Sequence, residues 1–285
     1  MKDTYLLDNY SINFNGNLLN LNTPIIMSIL NTTPDSFFDG GNYNSLEGAL
    51  KKVEKDLESG ATIIDIGGYS TKPNGHEVSL EEEIKRTIPY IEAIIRRFPN
   101  VNLSIDTFRG KVASLALQAG AGMINDISAW NIDDEMIKIV SKYKVPYVLM
   151  HMRGKPKTMQ NQPHYDNLIK DILDFLVKKI DILKSNGLKD IIIDPGFGFG
   201  KTIAHNYSIL SNLNCFKVLK LPILVGISHK SMIYKKLKIR KLDTLNGTTA
   251  LNMYSLSKGA KILRVHDVKE AMECIKLSEA INKNY

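Results

Sequence analysis

Apolar, β-branched runs recur along the chain, and each ends in a polar or charged side chain. Ile25 to Leu30 runs into Asn31, Thr62 to Ile64 into Asp65, Val101 to Ile105 into Asp106, and Met123-Ile124 into Asn125. Tyr147 to Met150 runs into His151, and Ile191 to Ile193 into Asp194. Ile223 to Ile227 runs into Ser228, His229 and Lys230, and Ile262-Leu263 into Arg264 and His266. Longer stretches with helical spacing lie between them. Tyr165 to Gly187, for example, has apolar residues at Leu168, Ile172, Leu173, Leu176, Ile180 and Leu183. Eight strand-plus-helix units of this kind predict a (β/α)8 TIM barrel with its functional face at the C-terminal ends of the strands. Those ends are expected near Asn31, Asp65, Asp106, Asn125, Met150, Asp194, Ser228 and Arg264.

Ahead of the first barrel strand, Tyr10 to Phe14 and Leu18 to Leu21 alternate on either side of Asn15-Gly16. That pattern predicts a β-hairpin able to close the bottom of the barrel. Residues 1–285 read as a single domain, with the hairpin in 1–24 and the barrel in 25–285. A helix is expected over Ser79 to Phe98, with Ser79 and Glu82 as a capping box, and a last helix over Val268 to Ile281. The segments Asn31 to Asn44 and Tyr69 to Glu77 are long and polar. They are read as mobile functional loops over the mouth.

The 285 residues suffice for one barrel, which needs about 250. A hydrophobic fraction of 44% and a charged fraction of 24% are those of a globular protein. The two cysteines, Cys215 and Cys274, lack a CxxC spacing. They suggest neither a zinc site nor a disulfide framework, and fit the reducing cytoplasm. No signal-peptide core and no membrane span are expected. The net charge of +7 raises nucleic acid as a partner. Its lysines, however, are dispersed over predicted helices (Lys51, Lys52, Lys55; Lys178, Lys179, Lys184; Lys235, Lys236, Lys238). They are read as solvated surface, so no nucleic-acid partner is expected.

The segment Asp194-Pro-Gly-Phe-Gly-Phe-Gly-Lys201 superficially resembles a phosphate loop. A Walker loop, however, needs Gly where Pro195 stands, and a dinucleotide fingerprint from Gly196 needs Gly where Lys201 stands. The glycines are read as letting Phe197, Phe199 and the backbone close around a flat ligand, with Asp194 reaching into the mouth. Singly, Asp65, Asp106 or Asp194 would be an ordinary helix cap. Converging on one mouth, they imply a cationic or polar-edged ligand, or a metal. Lys230, Arg264 and His266 supply the positive side, which fits a phosphorylated substrate. His151 has no spaced partner and is read as structural.

Taken together, these segments resemble the dihydropteroate synthase family of pterin-binding barrels. The matching stretches are Ile29-Leu-Asn-Thr-Thr-Pro-Asp-Ser-Phe37, Ile64-Asp-Ile-Gly-Gly68, Ser70-Thr-Lys-Pro73, Ser104-Ile-Asp-Thr107 and Ile124-Asn-Asp-Ile127. They continue with Leu149-Met-His-Met152, Asp194 to Lys201, Lys230-Ser231 and Arg264-Val-His-Asp-Val268, in family order. The resemblance implies condensation of 6-hydroxymethyl-7,8-dihydropterin diphosphate with p-aminobenzoate by an SN1-like route. It implies a pterin pocket of Asp106, Asn125, Met150, Asp194, Phe199, Gly226 and Lys230, with Asp106, Lys230 and Arg264 catalytic. Asn31, Thr71, Arg264 and His266 would hold the diphosphate, with Mg2+ on Asn31. Phe37, Thr71, Lys72, Pro73 and Ser231 would receive p-aminobenzoate, the target pocket of sulfonamides, and bind it after the pterin. A cytoplasmic homodimer, joined through helices late in the barrel, is also implied.

Two other readings share the pterin carboxylates: a methyltetrahydrofolate-dependent methyltransferase, and a non-catalytic pterin-binding protein. The Thr33 to Phe37 and Ser70 to Pro73 stretches and the Arg264/His266 pair separate the synthase from the first. Retention of the full polar set separates it from the second. Three positions depart from the family pattern: Tyr69 for Glu, Lys72 for Arg, and His229 for Arg. His229 is expected either beside Lys230 at the pterin wall or as an exposed residue capping a loop.

Overall fold

Asn15 and Gly16 adopt positive φ angles of 50° and 89°, the backbone that a tight two-residue hairpin turn requires. They fold β1 (Ser11–Phe14) back on β2 (Asn17–Asn20), pairing Ser11 with Asn20 and Phe14 with Asn17. The chain is seen here in a computed structural model that describes residues 10–33, 45–69, 77–154, 159 and 163–282.

Eight parallel strands follow: β3 (Ile25–Asn31), β4 (Ile63–Gly67), β5 (Asn102–Asp106), β6 (Met123–Asp126), β7 (Tyr147–Met150), β8 (Ile191–Asp194), β9 (Leu224–Val225) and β10 (Ile262–Val265). They pair in the order β8-β7-β6-β5-β4-β3-β10-β9, and a parallel bridge between Ile193 and Ile223 closes the circle. Helices α1 (Leu46–Glu58), α2 (Leu80–Arg97), α3 (Gly110–Gln118), α4 (Glu135–Tyr143), α5 (Leu168–Ser185), α6 (Ile203–Ser211), α7 (Ser231–Leu237), α8 (Leu245–Ser257) and α9 (Val268–Asn282) form the outer layer. The expected TIM barrel and hairpin are both present.

The strands read as near-continuous apolar runs because both of their faces are buried. Outward residues such as Ile26, Ile64, Ile105, Ile124, Leu149, Ile193 and Leu263 pack under the helices. Inward residues Ile25, Met27, Ile63, Met123, Val148, Ile192, Leu224 and Ile262 fill the lower barrel. Ile12, Phe14 and Leu21 of the hairpin region seal them from below. The bottom is therefore apolar and closed, and polar groups are left for the top.

The structure corrects four local expectations. β4 runs past Asp65 to Gly67, so Asp65 lies within the strand rather than at its end. Gly67 sustains the pairing beside Asp106, where it adds no side chain. β9 stops at Val225, short of Ser228, because the chain turns toward α7 with Lys230 N bonded to Ile227 O. Of the expected capping box, Ser79 accepts from Glu82 N, but the Glu82 carboxylate pairs with Arg86 at 2.7 Å. Finally, Lys52 is not solvated surface. It is buried against the barrel, 2.7 Å from Asp56 one helical turn on, and Asp56 also accepts from Ser28 of β3.

Phe14 is 1% exposed in the bottom seal, far from the mouth. Phe14→Ala should lower unfolding free energy by about 3–5 kcal/mol, measured by urea denaturation. A loss under about 1 kcal/mol would show that the hairpin is not needed to complete the core.

Candidate active site

Successive strand residues point to opposite faces. The parity that sends the apolar residues of the lower barrel inward also sends Asn31, Asp65, Asp106, Asn125, Met150, Asp194 and Arg264 inward, one or two steps higher. The register aligns them: Asn31 lies opposite Gly67, Gly67 opposite Asp106, and Asp106 opposite Asn125. Met150 lies opposite Asp194.

Arg264 bridges the lumen from β10. Its Nε donates to Asp65 Oδ2 at 2.7 Å and its Nη2 to Asp106 Oδ2 at 2.6 Å. Asn125 Nδ2 donates to the same Asp65 oxygen at 2.8 Å. Asp65 Oδ1 is buried and has no hydrogen-bond partner among the described residues. The cation that several converging carboxylates require is thus, for Asp65 and Asp106, supplied by the chain itself. Burial still pushes the Asp106 carboxyl up to about 7, with Arg264 opposing the shift and Asp65 adding to it.

Asp194 Oδ1 accepts from Gly196 N at 2.7 Å, and burial raises its carboxyl against the pull of Lys230. Lys230 donates to Phe197 O and lies 4.9 Å from the Phe199 ring centroid. Burial lowers its ammonium to about 8. The loop after β8 needs its glycines for close packing: a Cβ on Gly196 would meet His151 O at 1.9 Å, and one on Gly200 would meet Arg153 O at 2.4 Å. Phe197 does not face the mouth as expected; it is 1% exposed and packs under the helices. Phe199 alone joins the mouth, against Phe108, Ile127, Met150, Met152, Met159 and Tyr69.

Lys201, buried, donates to Phe199 O at 3.0 Å and sits 2.9 Å from His151 Nδ1. Burial lowers Lys201 to about 7 and His151 to about 2. Asp126 faces outward. It accepts from the backbone N–H groups of Ser128 and Trp130 and from the Tyr147 hydroxyl, anchoring the loop beside Asn125.

Gly226 is buried just after β9, and Ser231 is the first residue of α7. His266 accompanies Arg264 on the inward parity, and its N–H reaches Ser228 Oγ at 3.3 Å. Burial holds its imidazole well below the usual range, hence neutral. His229 is buried rather than exposed, with Nε2 2.7 Å from Asp267 Oδ2 and Nδ1 2.6 Å from Thr244 Oγ1. Tyr69 packs edge-on against Phe108 at 5.1 Å, and Arg109 lies 5.4 Å from its ring. Phe37, Thr71, Lys72 and Pro73 lie outside the described residues, as does most of both long loops. Phe108, Ile127 and Met152 were missed from sequence. Each lies two positions beyond a named inward residue (Asp106, Asn125 and Met150), so the same parity continued past the strand would have found them. No group of three His, Cys, Asp or Glu able to hold a metal occurs among the described residues.

Chemically, the mouth offers hydrogen-bond acceptors in Asp106 and Asp194 and a carboxamide in Asn125. Beside them stand an apolar wall and a cationic side of Lys230 and Arg264. Such a site suits a flat ligand with an N–H-bearing edge and an anionic tail.

Asp106 gives a signed pH test. Its folded value, about 7, lies above its ordinary 3.8. The folded state therefore holds an extra proton between these values. The stability this contributes is fully present below the unfolded value and is lost as pH rises through about 7. Asp106→Asn should flatten this loss relative to wild type in urea denaturation series over that range. Parallel curves would mean that Asp106 titrates normally.

Residues 27–266 match the family model described as pterin binding enzyme. The chain is 43% identical over 277 residues to the dihydropteroate synthase of Escherichia coli K12, covering 95% of this chain and 98% of that one. It is 45% identical over 268 residues to the dihydropteroate synthase of Haemophilus influenzae, covering 93% and 97%. Among solved structures, it is similar to the Yersinia pestis dihydropteroate synthase in a sulfonamide drug complex, with TM-score 0.92, 42% identity and coverage of 96% and 100%. It is also similar to the Xanthomonas albilineans enzyme with 4-aminobenzoic acid, with TM-score 0.88, 36% identity and coverage of 96% and 98%.

Proposed function

The chain belongs to the dihydropteroate synthase family of pterin binding enzymes, and we infer that it condenses 6-hydroxymethyl-7,8-dihydropterin diphosphate with p-aminobenzoate. The products are 7,8-dihydropteroate and diphosphate, so the protein is a transferase of folate biosynthesis. The observation that carries this reading is the barrel mouth, where Asp106, Asn125 and Asp194 stand on inward strand faces beside Lys230 and an apolar wall.

The pterin lies flat on Met150 and Phe199, with the side-chain-free Gly226 and Lys230 completing its pocket. Its guanidine-like edge donates to Asp194, whose other oxygen already holds the Gly196 amide, and its remaining ring edge meets Asn125. The exocyclic methylene points toward Asp106. The C–O bond to diphosphate breaks, and its electron pair leaves with the diphosphate. The Asp106 carboxylate, ionised above about 7, stabilises the pterin cation that remains. Arg264 keeps that carboxylate in place and, with His266, faces the departing anion. The arylamine of p-aminobenzoate then attacks the methylene carbon and loses a proton. A water-poor pocket strengthens each of these charge interactions.

Asn31 would hold Mg2+. Its carboxamide oxygen is a hard donor at the rim, and Mg2+ commonly takes one or two protein ligands, with phosphate oxygens and water completing the shell. When bound, the ion offsets charge on the diphosphate. Ser231, the first residue of α7, would meet p-aminobenzoate, and the family resemblance assigns Phe37, Thr71, Lys72 and Pro73 to the same substrate; sulfonamides would compete there. Late in the barrel, Leu237, Leu242, Leu277 and Ile281 are exposed apolar side chains that a second copy would cover, which supports a homodimer. No helix among the described residues is long and apolar enough to cross a membrane. With two free cysteines, a cytoplasmic setting is proposed.

Diphosphate release should require both the pterin diphosphate and p-aminobenzoate. Release without the arylamine, or none with both substrates, would sink the synthase reading in favour of a methyltransferase or a non-catalytic binder. Asp194→Ala should fold normally yet lose about 1.5–3 kcal/mol of binding per missing charge-assisted bond. Calorimetry with 6-hydroxymethylpterin measures this. Unchanged affinity would remove Asp194 from the site.

A further inference from the structure

His229 and Lys230 are consecutive, yet they hold opposite neighbours of β9. Lys230 donates to Phe197 O in the loop after β8. The His229 ring reaches the other way, to Asp267 in the loop after β10. A left-handed backbone at His229, φ 54°, accompanies this divergence. The ring is 6% exposed, so its bonds are shielded from water. Thr244, just ahead of α8, places its hydroxyl oxygen 2.6 Å from Lys241 O and 2.6 Å from His229 Nδ1. Asp267 accepts from Nε2 at 2.7 Å. The ring thus spans Thr244 and Asp267, one through each nitrogen. A second tie runs parallel to it: His266 N reaches Ser228 Oγ, and His229 N reaches Thr248 Oγ1, both at 3.3 Å.

We propose that His229 is a positioning residue that couples the two halves of the site. Its backbone sets the direction of Lys230 on the pterin side. Its ring, through Asp267, sets His266 on the diphosphate side. The coupling rests on the assignment of Lys230 to the pterin and His266 to the diphosphate. Buried hydrogen-bonded networks of this kind fix side chains to within fractions of an ångström, and small misplacements are costly to binding and turnover.

His229→Asn tests this cleanly. Asn tolerates a left-handed backbone, but its short side chain cannot span Thr244 and Asp267 together. Asp267→Asn weakens the same link from the other end. Calorimetric titrations would use 6-hydroxymethylpterin, and inorganic diphosphate with Mg2+, on wild type, both single variants and the double variant. Thermal unfolding would confirm that each is folded. In His229→Asn both affinities should fall about 10-fold or more. The double variant should be no weaker than His229→Asn alone, because both changes cut one link. Wild-type affinities in a folded His229→Asn, loss in one pocket only, or losses that multiply in the double variant would overturn the proposal. If wild type bound neither ligand, the pterin and diphosphate assignment would fall first, and the coupling with it.

Discussion

The guanidinium of Arg264, held between Asp65 and Asp106 across the lumen, is the interaction on which the mouth depends. Two carboxylates inside a barrel repel each other and are poorly solvated. One planar cation offering parallel N–H groups to both resolves that conflict. Removing either side would strand a buried charge, so the pair is better understood as a geometric constraint than as a source of stability. It also joins β10 to β4 and β5, strands that do not neighbour it in the sheet, and thereby sets how far apart the anionic and cationic walls stand.

The rest of the fold supports this constraint from two directions. Below, Phe14, Ile12 and Leu21 close the barrel with apolar side chains, so no polar group is needed there. Above, the loop after β8 is drawn tightly onto the loop after β7, where only glycine fits at 196 and 200. Lys201 ties the two loops together from beneath, and Phe199 is left facing the mouth. Lys52 and Asp56 brace α1 against β3 in the same buried manner. The site is therefore made of groups whose partners are mostly protein atoms, which is what preorganisation requires.

Tyr69 and His229, two of the three departures from the family pattern, are both absorbed by local networks. Tyr69 packs on Phe108 with Arg109 nearby, and Arg109 is held by the buried Glu83, which also accepts from Thr107 beside Asp106. His229 exchanges a fork of donors for a ring that reaches two oxygens. Neither change removes a polar group from the inward row of Asp106, Asn125 and Asp194, so the chemistry of the mouth is kept while its surroundings differ.

The sequence by itself determined the barrel, the hairpin and the inward polar row. These follow from apolar runs that each end in a polar side chain, Asn-Gly turn chemistry and ordered motifs, all written in residues close together along the chain. Their place at the C-terminal ends of barrel strands put Asp106, Asn125, Asp194 and Arg264 on one surface. What the sequence could not decide was partnership. Arg264 meets Asp65 from 199 positions away, and only closure of the barrel sets that distance. Asp65 looked like a rim carboxylate because its apolar run ends there; pairing of Gly67 with Asp106 carried the strand on. Phe197 and Phe199 were equivalent in a glycine-rich loop until packing against β7 sent one under the helices and one to the mouth. Lys52 looked solvated among other lysines because Asp56 neutralises it only when α1 lies on β3. Local covalent geometry sets which face a residue takes. Which charge or ring it meets there depends on contacts between distant segments, and those exist only in the folded chain.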